Sequence, residues 1–401
     1  MAFLSPFRAL RPAPEVAAEV ASVPYDVVNV EEARALAAGH PLSFLHVTRA
    51  EIDLPPATNP YDASVYAQAT RNFEELKRAA PLVQDDEPSL YFYRLRMGTH
   101  EQVGLSGLFS LDEYDAGLVK KHEKTRKEKE DDRTRHMTEI RAQTGVVFLT
   151  YHQSSSVDKI ASRVTATPPL YNFTANDGVS HTVWRVTGDD VKALVKAFEA
   201  LPAVYIADGH HRVASAARAR QELPTSKAAA TFIATAFPDT QVKILPYNRV
   251  VKDLGGKTPE ALLAALRPLL ADRAGEASPR HRGEVGMYLA GRWHTLVLPA
   301  SPAGTSRADS LDVEVLQRHV LGPLLGIGDQ RTDKRIDFVG GIRGQAELER
   351  LVSSGRAAVA FSLFPVGIDD LMAIADAGGI MPPKSTWFEP KLRDGLLVHL
   401  I

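Results

Sequence analysis

Residues 204–217 read Val204-Tyr205-Ile206-Ala207-Asp208-Gly209-His210-His211-Arg212-Val213-Ala214-Ser215-Ala216-Ala217, a polar quintet set where a short apolar run passes into an alanine-rich one. Residues 203–207 have the length and composition of a buried strand, and residues 213–222 are rich in helix formers until Pro224 stops them. The quintet is therefore expected on a helix N-terminus. First-turn N–H groups and the positive end of the helix dipole would face outward there, a ready site for a phosphate. Arg212, His210 and His211 would stand beside it as donors. Gly209 lets the backbone come close, and Asp208 at the strand's carboxyl end could hold Mg²⁺ or accept a hydroxyl proton. An Asp-Gly pair alone would be read as a helix cap, but two histidines and an arginine in the same turn exceed what capping requires.

Outward from this turn, residues 189–201 read as a helix feeding the strand, with 145–151 and 182–186 as further strands, so that the turn closes a β-α-β-α unit. Residues 90–95 and 102–109 are strand-like around Gly98 and are expected to pair antiparallel. Helices are expected over 31–38 and 61–80, the latter carrying Val65, Ala69, Phe73 and Leu76 on one face. Beyond the turn, 229–237 and 242–247 read as strands, 259–270 as a helix, 286–289 with 293–298 as a hairpin, and 312–320 as a helix. A soft boundary falls near Gly255-Gly256. It divides a phosphate- or nucleotide-binding region over 1–255, with a helical and β insertion around 55–140, from a C-terminal α+β region over 256–401.

Composition narrows the chemistry. With 401 residues, 44% hydrophobic, the chain can bury a sizeable core. A net charge of −2 argues against a protein that coats nucleic acid. The absence of cysteine excludes disulfides, thiolate nucleophiles, iron–sulfur clusters and cysteine-based zinc sites, leaving histidine and carboxylate chemistry. Residues 1–6 lack a charged segment followed by a long apolar one, and no run of about 18 apolar residues occurs, so a soluble cytoplasmic protein without membrane contact is expected.

A second constellation spans residues 120–136, with eight Lys/Arg, five Asp/Glu and two His and neither Gly nor Pro. It reads as one helix of roughly 25 Å, on which His122, Arg126, Lys129, Arg133 and His136 would share a stripe able to face a polyphosphate. Glu123 with Lys127, Lys124 with Glu128 and Arg126 with Glu130 would be i,i+4 pairs of an exposed helix. His122, Glu123 and Arg126 are the ligand candidates here. Asp26 is a candidate metal or substrate carboxylate, with a turn-forming Asp as the alternative. His46 and Arg49 lie in a run read as a strand, where a histidine is ordinarily structural. Arg249 could orient a phosphate through a bidentate guanidinium contact. Lys384-Ser385-Thr386 lacks the glycines of a P-loop, so Lys384 and Ser385 remain secondary candidates, with Lys391 a nearby point charge.

The quintet, followed by Ala214 and Ala216-Ala217, resembles the phosphate-binding motif of the ParB/sulfiredoxin-like superfamily and its free-serine-kinase branch. Across the chain, seven blocks resemble the domain-of-unknown-function 1015 family: Pro6-Phe7-Arg8-Ala9-Leu10-Arg11-Pro12, Val23-Pro24-Tyr25-Asp26-Val27, Ser43-Phe44-Leu45-His46-Val47, Lys121-His122-Glu123-Lys124-Thr125-Arg126, the quintet, Tyr247-Asn248-Arg249 and Met381-Pro382-Pro383-Lys384-Ser385-Thr386. The resemblance implies a mixed α/β fold with a ParB-like core built from the N-terminal segment and the region through Tyr247, and a C-terminal α+β region. It also implies a phosphotransferase using ATP or ADP with Mg²⁺ on a small hydroxylated metabolite, with L-serine/O-phosphoserine interconversion the best match. Asp208, His210 and His211 would be catalytic, and Asp208 or Asp26 would hold the metal. The alternatives are a nucleotide-binding switch without turnover and a nucleotide-independent phosphoserine phosphatase. Composition leaves the oligomeric state open.

Overall fold

The apolar run before the quintet forms the strand Val204–Asp208, and the alanine-rich run after it forms the helix His210–Glu222. The structure, a computed structural model, describes residues 3–80, 82–273 and 275–401. Met1 and Ala2, part of the N-terminal segment read above, lie outside the described residues. The chain forms two compact units: Met1–Val242 with Pro390–Ile401, and Lys243–Glu389.

The first unit is built on a nine-stranded mixed sheet. Along the sheet the strands follow Val119–Lys120, Val204–Asp208, Val147–Tyr151, Thr231–Pro238, His100–Ser110, Leu90–Met97, Ser180–Val186 and Tyr171–Thr174. Leu4–Ser5 pairs separately with the far end of His100–Ser110 through Leu4 opposite Phe109. The expected hairpin around Gly98 is present, with Tyr93 opposite Gly104. Val204–Asp208 runs parallel to Val119–Lys120 and antiparallel to Val147–Tyr151, with a register shift between Ile206 and Asp208. That irregularity ends the ladder where the quintet begins. The helices Asp189–Glu199 and His210–Glu222 cover the sheet, burying Leu194, Phe198, Val213, Ala216 and Ala219 against Phe109, Leu149, Ile206 and Phe232.

A smaller core joins the helix Ala63–Ala79, through the expected face of Val65, Ala69, Phe73 and Leu76, to Phe44, Val47 and Ile140. Two local readings change here. Residues 45–48 are helical, not a strand: Thr48 and Arg49 donate backbone bonds to Phe44 and Leu45, and His46 pairs through Nδ1 with Asp53 at 2.9 Å. Residues 120–136 are not one helix, since Val119–Lys120 is held in the sheet and the helix is Lys127–Ile140.

The second unit carries a five-stranded antiparallel sheet in the order Arg292–Val297, Glu284–Leu289, Val359–Leu363, Tyr247–Val251 and Ile336–Gly340. The run expected as one strand over 242–247 is divided: Lys243–Leu245 pairs with Trp387–Glu389, and Tyr247–Val251 enters the five-stranded sheet. The region around Tyr247 thus belongs to the second unit, and the turn at Gly255-Gly256 lies inside that unit. The last twelve residues return to the first, where Asp394 bridges Ser22 and Val398 bridges Leu10. Pairing across hundreds of residues leaves no local signal in composition, which is why the sequence suggested a single cut.

Candidate functional site

Gly209 takes φ +104, and a Cβ there would meet Val147 and Arg212 at 3.4 and 3.5 Å. Only glycine accepts that backbone without strain, and it turns the chain so that His210 opens the helix. The Gly209 carbonyl takes the N–H groups of Arg212 and Val213 at 2.9 and 3.1 Å, which fixes the first turn. The helix itself supplies no acceptor for the N–H groups preceding these.

Residues 121–126 meet this turn as a loop between the strand Val119–Lys120 and the helix Lys127–Ile140. The His122 N–H donates to His210 Nε2 at 3.3 Å, and the Arg126 N–H donates to His211 Nε2 at 3.0 Å. The His122 and His210 rings meet edge to face, 4.4 Å between centroids. His122, Glu123 and His210 each bring one ligand atom within 4.8 Å of the others. Burial pushes the His122 imidazole down to about 4 although Asp208 favours its charged form, and burial with the nearby His122 pushes His210 well below the ordinary range. Both rings are therefore neutral at physiological pH. His122 Nδ1 is buried and has no hydrogen-bond partner among the described residues.

The sequence put His122 and Arg126 on a helical stripe and named Glu123 with them as a ligand candidate, whereas in the structure all three lie on the loop that meets the quintet. Helical stripe residues go elsewhere. Lys129 lies against Tyr61 with Nζ 3.2 Å from its hydroxyl, the Arg133 guanidinium lies 4.2 Å from the Tyr25 ring centre, and His136 Nε2 is 2.9 Å from the Val47 carbonyl. Lys127 pairs with Asp131 at 2.9 Å, one turn further along than the pairing expected with Glu123. The Thr125 hydroxyl donates to Glu130, and Arg218 reaches Asp131 at 2.6 Å, tying Lys127–Ile140 to His210–Glu222.

Arg212 and Asp26 were both expected to meet a ligand, and they meet each other. Arg212 NH2 lies 2.9 Å from both Asp26 oxygens while NH1 donates to the Val146 carbonyl at 2.8 Å. Asp208, the other expected metal carboxylate, receives Lys391 Nζ at 2.7 Å. Close to Arg212 and Asp26 is Asp394, 1% exposed, with one oxygen lacking a partner among the described residues. Burial pushes its carboxyl up to about 7, against the opposing pull of Arg212. Neither the Lys391 contact nor Asp394 was legible in the sequence, since each is delivered by the returning terminal segment.

The remaining candidates belong to the second unit. Arg249 is wholly buried there and donates to the Tyr247 and Pro383 carbonyls and to Gln330. These bonds tie a strand to a loop, so the guanidinium is not left as a phosphate fork. Lys384 Nζ lies 5.3 Å from the Tyr247 ring centre, and the Ser385 hydroxyl donates to the Pro382 carbonyl at 2.7 Å.

The sequence profile of the family described as protein of unknown function DUF1015 matches residues 4–314. No curated protein matches the chain at a significant level. Among solved structures, it is similar to a C-terminally truncated SbnI from Staphylococcus aureus, with 12% identity over 74% of this chain and 87% of that one and a TM-score of 0.41. Free serine kinase in complex with AMP aligns at 12% identity over 73% and 91% of the two chains, TM-score 0.38. A conserved hypothetical protein from Pyrococcus furiosus aligns at 15% identity over 74% and 95%, TM-score 0.38.

Proposed function

Starting from the fact that the chain belongs to the DUF1015 family, we propose that it is a nucleotide-dependent phosphotransferase acting on a small hydroxylated metabolite, with L-serine and O-phosphoserine as the substrate pair. The observation that carries this reading is the Asp208–Arg212 turn. A strand ends in a bulge, a glycine at φ +104 re-aims the chain, and a helix N-terminus follows, flanked by the buried rings of His122 and His210, both pushed toward the neutral form. Such a terminus stabilises phosphate oxygens through backbone donors and the helix dipole. The resemblance of Asp208-Gly209-His210-His211-Arg212 to the free-serine-kinase motif supports the choice of serine.

In this reading ATP or ADP places its terminal phosphates over Gly209, His210 and His211, with the Glu123 and Arg126 side chains on the loop above. Arg212 acts from below by locking the turn through Asp26 and Val146. The substrate hydroxyl oxygen bonds to the terminal phosphorus, the bond to the leaving nucleotide breaks, and the hydroxyl proton passes to Asp208. Mg²⁺ entering with the nucleotide would neutralise charge on the phosphate oxygens. Among the described residues no helix is long and apolar enough to cross a membrane.

Phosphorus NMR of the purified protein with Mg²⁺ tests the reading. L-serine is supplied with ATP or with ADP, and O-phosphoserine with and without ADP, beside an Asp208→Asn control. Nucleotide-dependent interconversion that disappears in the control is the expected result. Phosphate release from O-phosphoserine alone would make the protein a phosphatase, and nucleotide binding without turnover of either substrate would make it a switch.

A further inference from the structure

The loop residues His122 and Glu123 and the first helical residue His210 form a cluster distinct from the Asp208 and Asp26 carboxylates considered for Mg²⁺. One ligand atom from each of the three lies within 4.8 Å of the other two. We propose that this cluster is a binding site for a divalent first-row transition-metal ion, held by two imidazole nitrogens and one carboxylate oxygen. The donor set is the first argument. Mg²⁺ takes oxygen ligands, whereas imidazole favours zinc, cobalt, nickel and iron, and two histidines with one carboxylate leave coordination positions open.

The second argument is independent of proximity. His122 is 2% exposed, and its Nδ1 has no partner among the described residues. A buried ring nitrogen without a partner is costly to leave unsatisfied. The ring stands beside a second imidazole and a carboxylate, the donors that a first-row metal takes. A metal ligated by His210 Nε2 would displace the long bond, 3.3 Å, that this nitrogen accepts from the His122 N–H.

Ligand atoms about 2.0–2.2 Å from a zinc ion span at most about 4 Å. Closing from 4.8 Å requires a shift of roughly an ångström, which rotation of the half-buried Glu123 side chain can supply. A metal held here would stand at the helix N-terminus with its open positions toward solvent or an anion.

The site does not depend on phosphotransfer, and its test contains no nucleotide. Full-length, tag-free protein is treated with chelator, dialysed, and titrated with Co²⁺ alone, following visible absorption and heat. One equivalent should bind with the absorption of nitrogen–oxygen coordination, and Zn²⁺ should displace it while excess Mg²⁺ does not. Glu123→Gln should weaken binding roughly tenfold or more, His122→Asn should abolish it, and Asp189→Asn, at the exposed start of the helix Asp189–Glu199, should leave it unchanged. If His122→Asn fails to fold, the partly exposed Glu123→Gln decides alone. No saturable binding, binding that Mg²⁺ displaces, or binding indifferent to Glu123→Gln would overturn the site.

Discussion

The Arg212 guanidinium is buried, yet its charge persists because Asp26 meets it with both oxygens at 2.9 Å and Val146 takes a further N–H. An ion pair of this kind fixes geometry more than it stabilises, since desolvation offsets much of the attraction. Its value lies in holding the turn after Gly209. The buried imidazoles of the same unit set an acid limit. Burial pushes His122 and His136 down to about 4 and His181 to about 3, from an ordinary value of 6.5. The unfolded chain then binds more protons than the folded one between about 4 and 6.5, so this stability is complete above that window and is lost as pH falls through it. Asp394 acts in the opposite sense. Its folded carboxyl is pushed up from 3.8 to about 7, so it favours folding at low pH and that contribution is lost as pH rises through the same range. Three histidines outweigh one carboxyl. The melting temperature should therefore fall between pH 7 and pH 4.5, and fall more steeply in Asp394→Asn. A flat profile by circular dichroism would contradict the neutral assignment of the rings.

At the level of elements, most strands and helices flanking the quintet were legible because each buries one face at the expected period, as Val65, Ala69, Phe73 and Leu76 do. The charged segment misled for a physical reason. Its i,i+4 pairs contribute only a few tenths of a kcal/mol each, too little to compete with the parallel ladder that places Lys120 opposite Tyr205. The chain stays non-helical until the Arg126 carbonyl takes the Lys129 and Glu130 N–H groups at 3.0 Å and starts the helix. The motif at 208–212 could be read locally because strand, turn and helix are contiguous, while the loop that crosses it could not. A pair of substitutions separates the loop's backbone from its side chain. Arg126→Ala keeps the N–H that donates to His211 Nε2, and Arg126→Pro removes it. The proline variant should be less stable than the alanine variant by about 1 kcal/mol in urea denaturation, and equal stability would mean that the loop contact contributes nothing.

At the level of the whole molecule, the chain leaves the first unit after Val242 and re-enters it at Pro390. The residues just beyond those crossings are register partners, with Lys243 opposite Glu389 and Ile244 opposite Phe388. Antiparallel partners sit about 4.5–5.5 Å apart between Cα atoms, a gap that two or three glycine-rich residues close. The second unit is thus an insertion whose ends already lie together. The terminal segment, by contrast, is part of the first unit's core: Leu396, Leu397 and Val398 are at most 1% exposed, and His399 pairs with Gln143. Each such aliphatic side chain contributes about 1.5–3 kcal/mol when buried. Losing three approaches the 5–15 kcal/mol that a whole domain typically has. Replacing residues 243–389 by a short Gly-Ser linker should therefore leave a first unit that melts cooperatively. Ending the chain after Glu389, which keeps every residue of the second unit, should cost the first unit its cooperative transition. Differential scanning calorimetry of the two variants distinguishes them, and a cooperative first unit in the truncated chain would show that residues 390–401 are an accessory to that core instead of a part of it.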